Sequence, residues 1–272
     1  MLLKKILMIV ACLSVNVSVA ANTMQTHPTL LLVHGALLTS GIWAPVQSYL
    51  QNHHYNVVTV DIPGRAEDDI SAKEATLYQA AKKVCDVARM QYGPVILVGH
   101  SQGGAVINQA INECETKIKA LIYVAAVVPL NGEKPYQLLS EEDNEHFDSC
   151  TQLDEKSGLY KINYNGPLKE MFMADASLEQ VQHATANMVP EPIIIGENLL
   201  HFPEDTFEKI PKFYIETTED KIISPKTQQR MRSRIHFIHS YSLQSSHSPF
   251  ISKSKQLSRL LMGIADHYTI DD

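Results

Sequence analysis

The chain has 272 residues, 44% hydrophobic and 19% charged, a balance that supports a large buried core and excludes a disordered or collagen-like polymer. A formal charge of −7 excludes the basic surface that phosphate binding needs, so nucleic acid is not an expected partner. Four cysteines in this length exclude a disulfide framework.

Lys4 and Lys5 precede an apolar stretch from Ile6 to about Val15, and Ser18-Val19-Ala20 offers small residues before a cut after Ala20 or Ala21. Residues 1–21 read as a signal peptide. Ser14, Asn16 and Ser18 interrupt the run before it reaches the ~20 apolar residues of a membrane helix, so no stable span is expected in the mature chain. The protein is expected to be exported, periplasmic or secreted. A retained anchor and lipid attachment at Cys12 are the alternatives. Cys85, Cys114 and Cys150 remain after cleavage and allow at most one intramolecular disulfide. Cys85 falls on the helical stripe Tyr78, Ala81, Val84, Cys85, Ala88 and is expected as packed core rather than as a redox group.

In chain order, short apolar runs at 29–33, 55–60, 94–98, 118–125, 212–217 and 235–241 read as strands. Between and after them, amphipathic segments at 40–52, 74–91, 101–113, 225–232 and 249–265 read as helices. This alternation predicts an α/β fold, a mostly parallel sheet of about six strands with helices on both faces. The rhythm breaks at approximately 130–210, a stretch acidic early at Glu141, Glu142, Asp143 and Glu145. That is too long for an unstructured loop in a compact domain, so it is expected to be a mainly helical cap inserted in a single domain spanning 22–272.

Chemistry enters at Gly99-His100-Ser101-Gln102-Gly103-Gly104, which follows the strand 94–98 and precedes a helix. This is the G-x-S-x-G nucleophile elbow in the strand–turn–helix context it requires, and it makes Ser101 the candidate nucleophile. A dinucleotide fingerprint fails on spacing, and a phosphate-binding P-loop fails because Ala105, not Lys, follows Gly104. A second strand runs into His34-Gly35-Ala36. That loop is expected to give the Ala36 N–H to an oxyanion hole completed by the Gln102 N–H. His34 and His100 adjoin glycines inside the turns and read as scaffold.

A serine nucleophile needs a base and an orienting acid, in the order Ser, Asp, His for this topology. Asp220, in the loop after the strand 212–217, is the expected acid, with neighbouring Glu219 as its rival. His247, between the last strand and the last helix, is the expected base. Among the 12 histidines there is no H-E-x-x-H and no C-x-x-C pattern, and His53-His54 adjoin each other, so neither a metal nor another cofactor is expected. In the cap, Met171, Phe172, Met173, Phe147, Tyr160 and Tyr164 are the side chains that line a pocket or pack the cap on the sheet; Gly35, Phe172 and Met171 are the named pocket candidates.

These residues resemble the α/β-hydrolase superfamily, and within it the plant methylesterase and hydroxynitrile lyase branch with its bacterial relatives. The resemblance rests on Val33-His34-Gly35-Ala36 with Trp43, Val98 to Gly104, Thr217 to Pro225 with Gln228, and Ser246-His247-Ser248. The cap matches loosely, through 171–175 and Pro190-Glu191-Pro192. The resemblance implies that lyases carry a threonine in the first loop and a lysine after the histidine, where this chain has Gly35 and Ser248. It favours hydrolysis of a small or medium carboxylic ester through an acyl-enzyme. Lyase-like C–C cleavage and a non-enzymatic small-molecule binder are the alternatives. Gln102 departs from the leucine usual in the plant esterases.

Overall fold

The computed structural model describes residues 27–65, 70–114 and 117–268; the expected signal peptide at 1–21, with Cys12, lies outside them. The strands are β1 (Thr29–Val33), β2 (Val57–Val60), β3 (Val95–His100), β4 (Ile118–Val124), β5 (Thr151–Asp154), β6 (Leu159–Ile162), β7 (Glu191–Pro192), β8 (Lys212–Thr217) and β9 (His239–Leu243). Six of them form a sheet in the order β2-β1-β3-β4-β8-β9, with every neighbour parallel. The central strands β1 and β3 are buried along their whole length. Helices cover both faces of a parallel sheet, so a central strand is an unbroken apolar run rather than an alternating one.

The helices are α1 (Ala44–Asn52), α2 (Leu77–Arg89), α3 (Gly103–Cys114), α4 (Glu141–Ser149), α5 (Leu168–Phe172), α6 (Leu178–Ala186), α7 (Ile193–Glu197), α8 (Glu204–Lys209), α9 (Pro225–Arg232), α10 (Pro249–Ser252) and α11 (Ser254–Ala265). In α2, Leu77, Ala80, Ala81, Val84, Cys85 and Ala88 are buried, and the Thr76 side chain caps the first turn by accepting from the Gln79 N–H at 3.2 Å. The expected helix at 249–265 is interrupted at Lys253, where φ −127° leaves the helical region.

One expectation is corrected and two are extended. Cys85 is buried as the stripe implied, but it is also disulfide-bonded to Cys114, so the packed α2–α3 pair carries a covalent staple. Cys150 is the buried free thiol among the described residues. The last strand begins at His239, opposite Phe213, rather than at Ile235. Phe237 instead leaves the ladder and packs edge-on against Tyr123 and Tyr214. Finally, the cap is not only helical, because β5, β6 and β7 pair antiparallel into a small sheet beside α4 to α8.

Candidate active site

The chain turns from β3 into α3 at Ser101 and Gln102. Ser101 has φ +54°, a left-handed conformation that costs a non-glycine residue ~1–2 kcal/mol. The surroundings hold it there: its N–H donates to the Val124 carbonyl at 3.2 Å, and its carbonyl accepts from Val127 N–H at 3.1 Å. The motif's glycines allow backbones to cross at this point. A Cβ on Gly103 would stand 2.8 Å from the carbonyl oxygens of Val33 and His34, and one on Gly99 would stand 2.6 Å from the Gly103 oxygen.

Ser101 Oγ lies 3.0 Å from His247 Nε2, and His247 Nδ1 lies 2.8 Å from Asp220 Oδ2. With the imidazole proton on Nδ1, His247 donates to Asp220 and accepts from the serine hydroxyl. Asp220 is an almost fully buried carboxylate, and its charge is met by hydrogen bonds. Its Oδ1 accepts from the Ile222 and Ile223 N–H groups at 2.8 and 2.9 Å, and its Oδ2 accepts from Thr217 Oγ1 at 2.8 Å. Glu219, the rival acid, is exposed and accepts from Gln244 Nε2 at 2.9 Å.

Ala36 and Gln102 border the same cavity as Ser101, and neither backbone N–H has an acceptor among the described residues. Gly35 stands directly behind the serine. A Cβ there would lie 2.7 Å from Ser101 Cβ and 2.9 Å from His100 Nδ1. His34 Nε2 accepts from the Ile62 N–H at 3.1 Å while its Nδ1–H donates to the Gly35 carbonyl at 2.8 Å. Burial, with the Arg65 charge nearby, holds His34 neutral and lowers its pKa to about 3. His100 donates from Nε2 to the carbonyl of His247 at 2.9 Å, and burial, with His247 nearby, pushes its pKa well below the ordinary value. Both histidines are structural pins, as their positions in the turns suggest.

Sequence reasoning assigned no role to three carboxylates of the cap. Each ties down one loop of the site. Asp143, in the first turn of α4, accepts from the Ser224 N–H at 3.0 Å and from Thr227 Oγ1, in the segment after Asp220. Burial raises its pKa, but hydrogen bonds from Thr227, Ser140 and Ser224 outweigh that and keep it below the usual carboxylate range. Asp175 accepts from the backbone N–H of Ser246 at 3.2 Å and from its hydroxyl, one residue before His247. Glu191, in β7, accepts from the Leu37 N–H at 3.0 Å and pairs with buried Arg65. The two local signals were weak: Ser140 and Asp143 have capping-box spacing, and Glu191 is an acid between two prolines.

Two cavities meet at Ala36 and Phe172, and Ser101 borders the larger. The larger, about 510 Å³, is lined by Ser101, Gln102, Tyr136, Phe147, Tyr160 and Phe172 among others. The smaller, about 10 Å³, is bounded by His247, Ser248, Leu38, Met173, Met188 and Phe172 among others. Phe172 therefore borders both, whereas Met171 borders neither and packs against the core. Tyr164 is exposed.

Residues 30–260 match the alpha/beta hydrolase family. The chain belongs to that family. It is 26% identical to methylesterase 17 of Arabidopsis thaliana over 88% of this chain and 91% of that protein. It is 28% identical to a pyrethroid hydrolase of Sphingobium wenxiniae, over 89% of each chain. A solved structure of a pyrethroid hydrolase from Sphingobium faniae superposes with a TM-score of 0.77 at 24% identity, covering 88% of this chain and 97% of that one, which bears on the fold alone.

Proposed function

We propose that the protein hydrolyses carboxylic esters of small alcohols through an acyl-enzyme on Ser101. The observation that carries this reading is the continuous hydrogen-bonded path from Ser101 through His247 to Asp220, beside two uncommitted N–H groups at the mouth of a cavity. The names of the relatives, methylesterase and pyrethroid hydrolase, point to the same chemistry.

His247 takes the serine proton as Oγ attacks the ester carbonyl, and Asp220 stabilises the imidazolium that forms. The Ala36 and Gln102 N–H groups receive the oxyanion. His247 then protonates the leaving alcohol, so the alcohol must lie on the His247 side. Water repeats the attack on the acyl-enzyme and restores the serine. His247 borders the small cavity and not the large one, which supports an alcohol of about methyl size there and the acyl group in the large cavity. No cofactor takes part in this scheme. Export to an oxidising compartment is part of the proposal, supported by the signal-peptide pattern at 1–21 and by the Cys85–Cys114 disulfide.

The test is a series of esters of one acid with methyl, ethyl, butyl and octyl alcohols, assayed on the protein and on Ser101→Ala. Methyl ester should be cleaved fastest and Ser101→Ala should be inactive. Equal rates across the series would refute the alcohol-size assignment, and activity surviving in Ser101→Ala would refute the acyl-enzyme.

A further inference from the structure

Gln102 supplies more than its backbone N–H. Its side-chain Nε2 donates to the Tyr136 hydroxyl at 2.8 Å. Burial raises the Glu191 pKa, and Arg65, the Leu37 N–H and the Gln102 amide oppose that rise by favouring the carboxylate. The amide must therefore turn its nitrogen toward this corner, because an amide oxygen facing a carboxylate would be repelled. That orientation fixes the polarity of the next hydrogen bond. Tyr136 Oη is the acceptor from Gln102, so its own proton is left for another partner.

That proton meets no acceptor within hydrogen-bond distance among the described residues. Glu191 does not take it: its Oε1 has no hydrogen-bond partner at all, and its Oε2 accepts from Leu37 and Arg65. Tyr136 borders the 510 Å³ cavity together with Ser101 and Gln102. Burial pushes the Tyr136 pKa well above its ordinary value, with the Glu191 charge adding to the rise, so the hydroxyl stays protonated.

The ring is also held in place. It packs against Gly196 of α7, where a Cβ would fall 2.0 Å from a ring carbon. Phe147 and Tyr160 contact it at ring-centroid distances of 6.0 and 6.3 Å. The same cavity is also bordered by Lys134, Gln137, Asn144, Asp148 and Glu197, but Tyr136 is the hydroxyl tied to the residue after the nucleophile. A hydroxyl donor on a fixed ring costs little to organise on binding, so it discriminates between ligands that can and cannot accept.

We propose that Tyr136, oriented by Gln102, donates a hydrogen bond to an oxygen on the acyl group of the substrate. The natural ester is then one of an oxygen-bearing acid, such as a keto, hydroxy or alkoxy acid, rather than of a plain hydrocarbon acid. This rests on the ester hydrolase reading above and on the placement of the acyl group in the large cavity. Tyr136 acts on specificity and takes no part in the proton transfers.

The experiment compares methyl esters in pairs matched for length, one carrying a keto, hydroxy or ether oxygen at the second, third or fourth acyl carbon and one carrying methylene there. Both are assayed on the protein, on Tyr136→Phe and on Gln102→Leu, which keeps the backbone N–H. At the best position the oxygenated ester should have a kcat/KM about tenfold above its partner, the size expected of one hydrogen bond gained. In Tyr136→Phe the ratio should fall to near one, because kcat/KM drops more for the oxygenated ester than for its hydrocarbon partner. Gln102→Leu should shrink the ratio as well. An unchanged ratio in Tyr136→Phe, or no preference at any position in the parent protein, overturns the proposal while leaving ester hydrolysis intact. Absence of turnover on every ester would instead overturn the hydrolase reading on which it rests.

Discussion

The backbone N–H of Leu37 donates to Glu191 Oε2 at 3.0 Å, joining the loop that carries the Ala36 N–H to a strand of the cap. The Leu37 carbonyl is held from the same side, by the Val189 N–H at 3.0 Å, and Leu37 itself sits at φ +64°. The cap thus fixes the peptide beside the proposed oxyanion donor, and Arg65 makes a charged carboxylate tolerable there.

Glu191→Gln should therefore lower kcat with little change in KM, because the misplaced donor is needed in the transition state rather than for binding. Removing one charge of a buried pair also leaves Arg65 uncompensated, so stability should drop by about 3 kcal/mol. Steady-state kinetics at a temperature where circular dichroism shows the variant folded separates the two effects. Unchanged kcat would mean that the cap does not position this loop.

The acid is tested by a paired substitution. Asp220→Asn should reduce kcat by about 10³ to 10⁴-fold, because the imidazole loses both its tautomer and its counter-charge. Glu219→Gln should change kcat less than twofold, since Glu219 faces solvent and meets only Gln244. Kinetic constants with a chromogenic ester decide the matter, and the reverse pattern would move the acid to Glu219.

The elbow, its strand and the sheet were legible in the sequence, because buried parallel strands are unbroken apolar runs and the glycines at 99, 103 and 35 are demanded by local crossings. Asp220 could be placed after a strand end for the same reason. The cap sheet could not, since β7 is two residues long and pairs with a strand about thirty residues earlier. The last strand was read too early because an edge strand alternates weakly, and the apolar residues ahead of it pack elsewhere. Arg65–Glu191, Gln102–Tyr136 and Cys85–Cys114 join residues far apart in the chain, and periodicity along a chain carries no signal for which helix or loop lies opposite.

We propose that Gly35 separates hydrolase from lyase chemistry in this chain. A side-chain donor at that position, as the lyase chemistry needs, would begin with a Cβ 2.7 Å from Ser101 Cβ, and Ser248 offers no cation beside the base. The protein should release no benzaldehyde from mandelonitrile above the buffer rate, and Gly35→Thr should lower ester turnover by at least tenfold through displacement of the serine. Cyanide release dependent on Ser101 would contradict the assignment.

The Cys85–Cys114 bridge closes a separation of 29 residues, which in the chain-entropy treatment is worth about 3–4 kcal/mol. The double variant Cys85→Ala with Cys114→Ala should melt about 10 °C lower, with the ester kinetics at room temperature unchanged because neither cysteine borders the site. Calorimetry with and without reductant gives the comparison. An unaltered Tm in the double variant would show that the staple adds nothing.

The central claim is that Ser101 is an activated nucleophile, and reaction with a fluorophosphonate probe at neutral pH tests it most directly. Intact-mass and peptide analysis should find one adduct per chain, located on Ser101, absent in Ser101→Ala and slowed in Asp220→Asn. A native protein that stays unlabelled, or an adduct on another residue, would contradict the account.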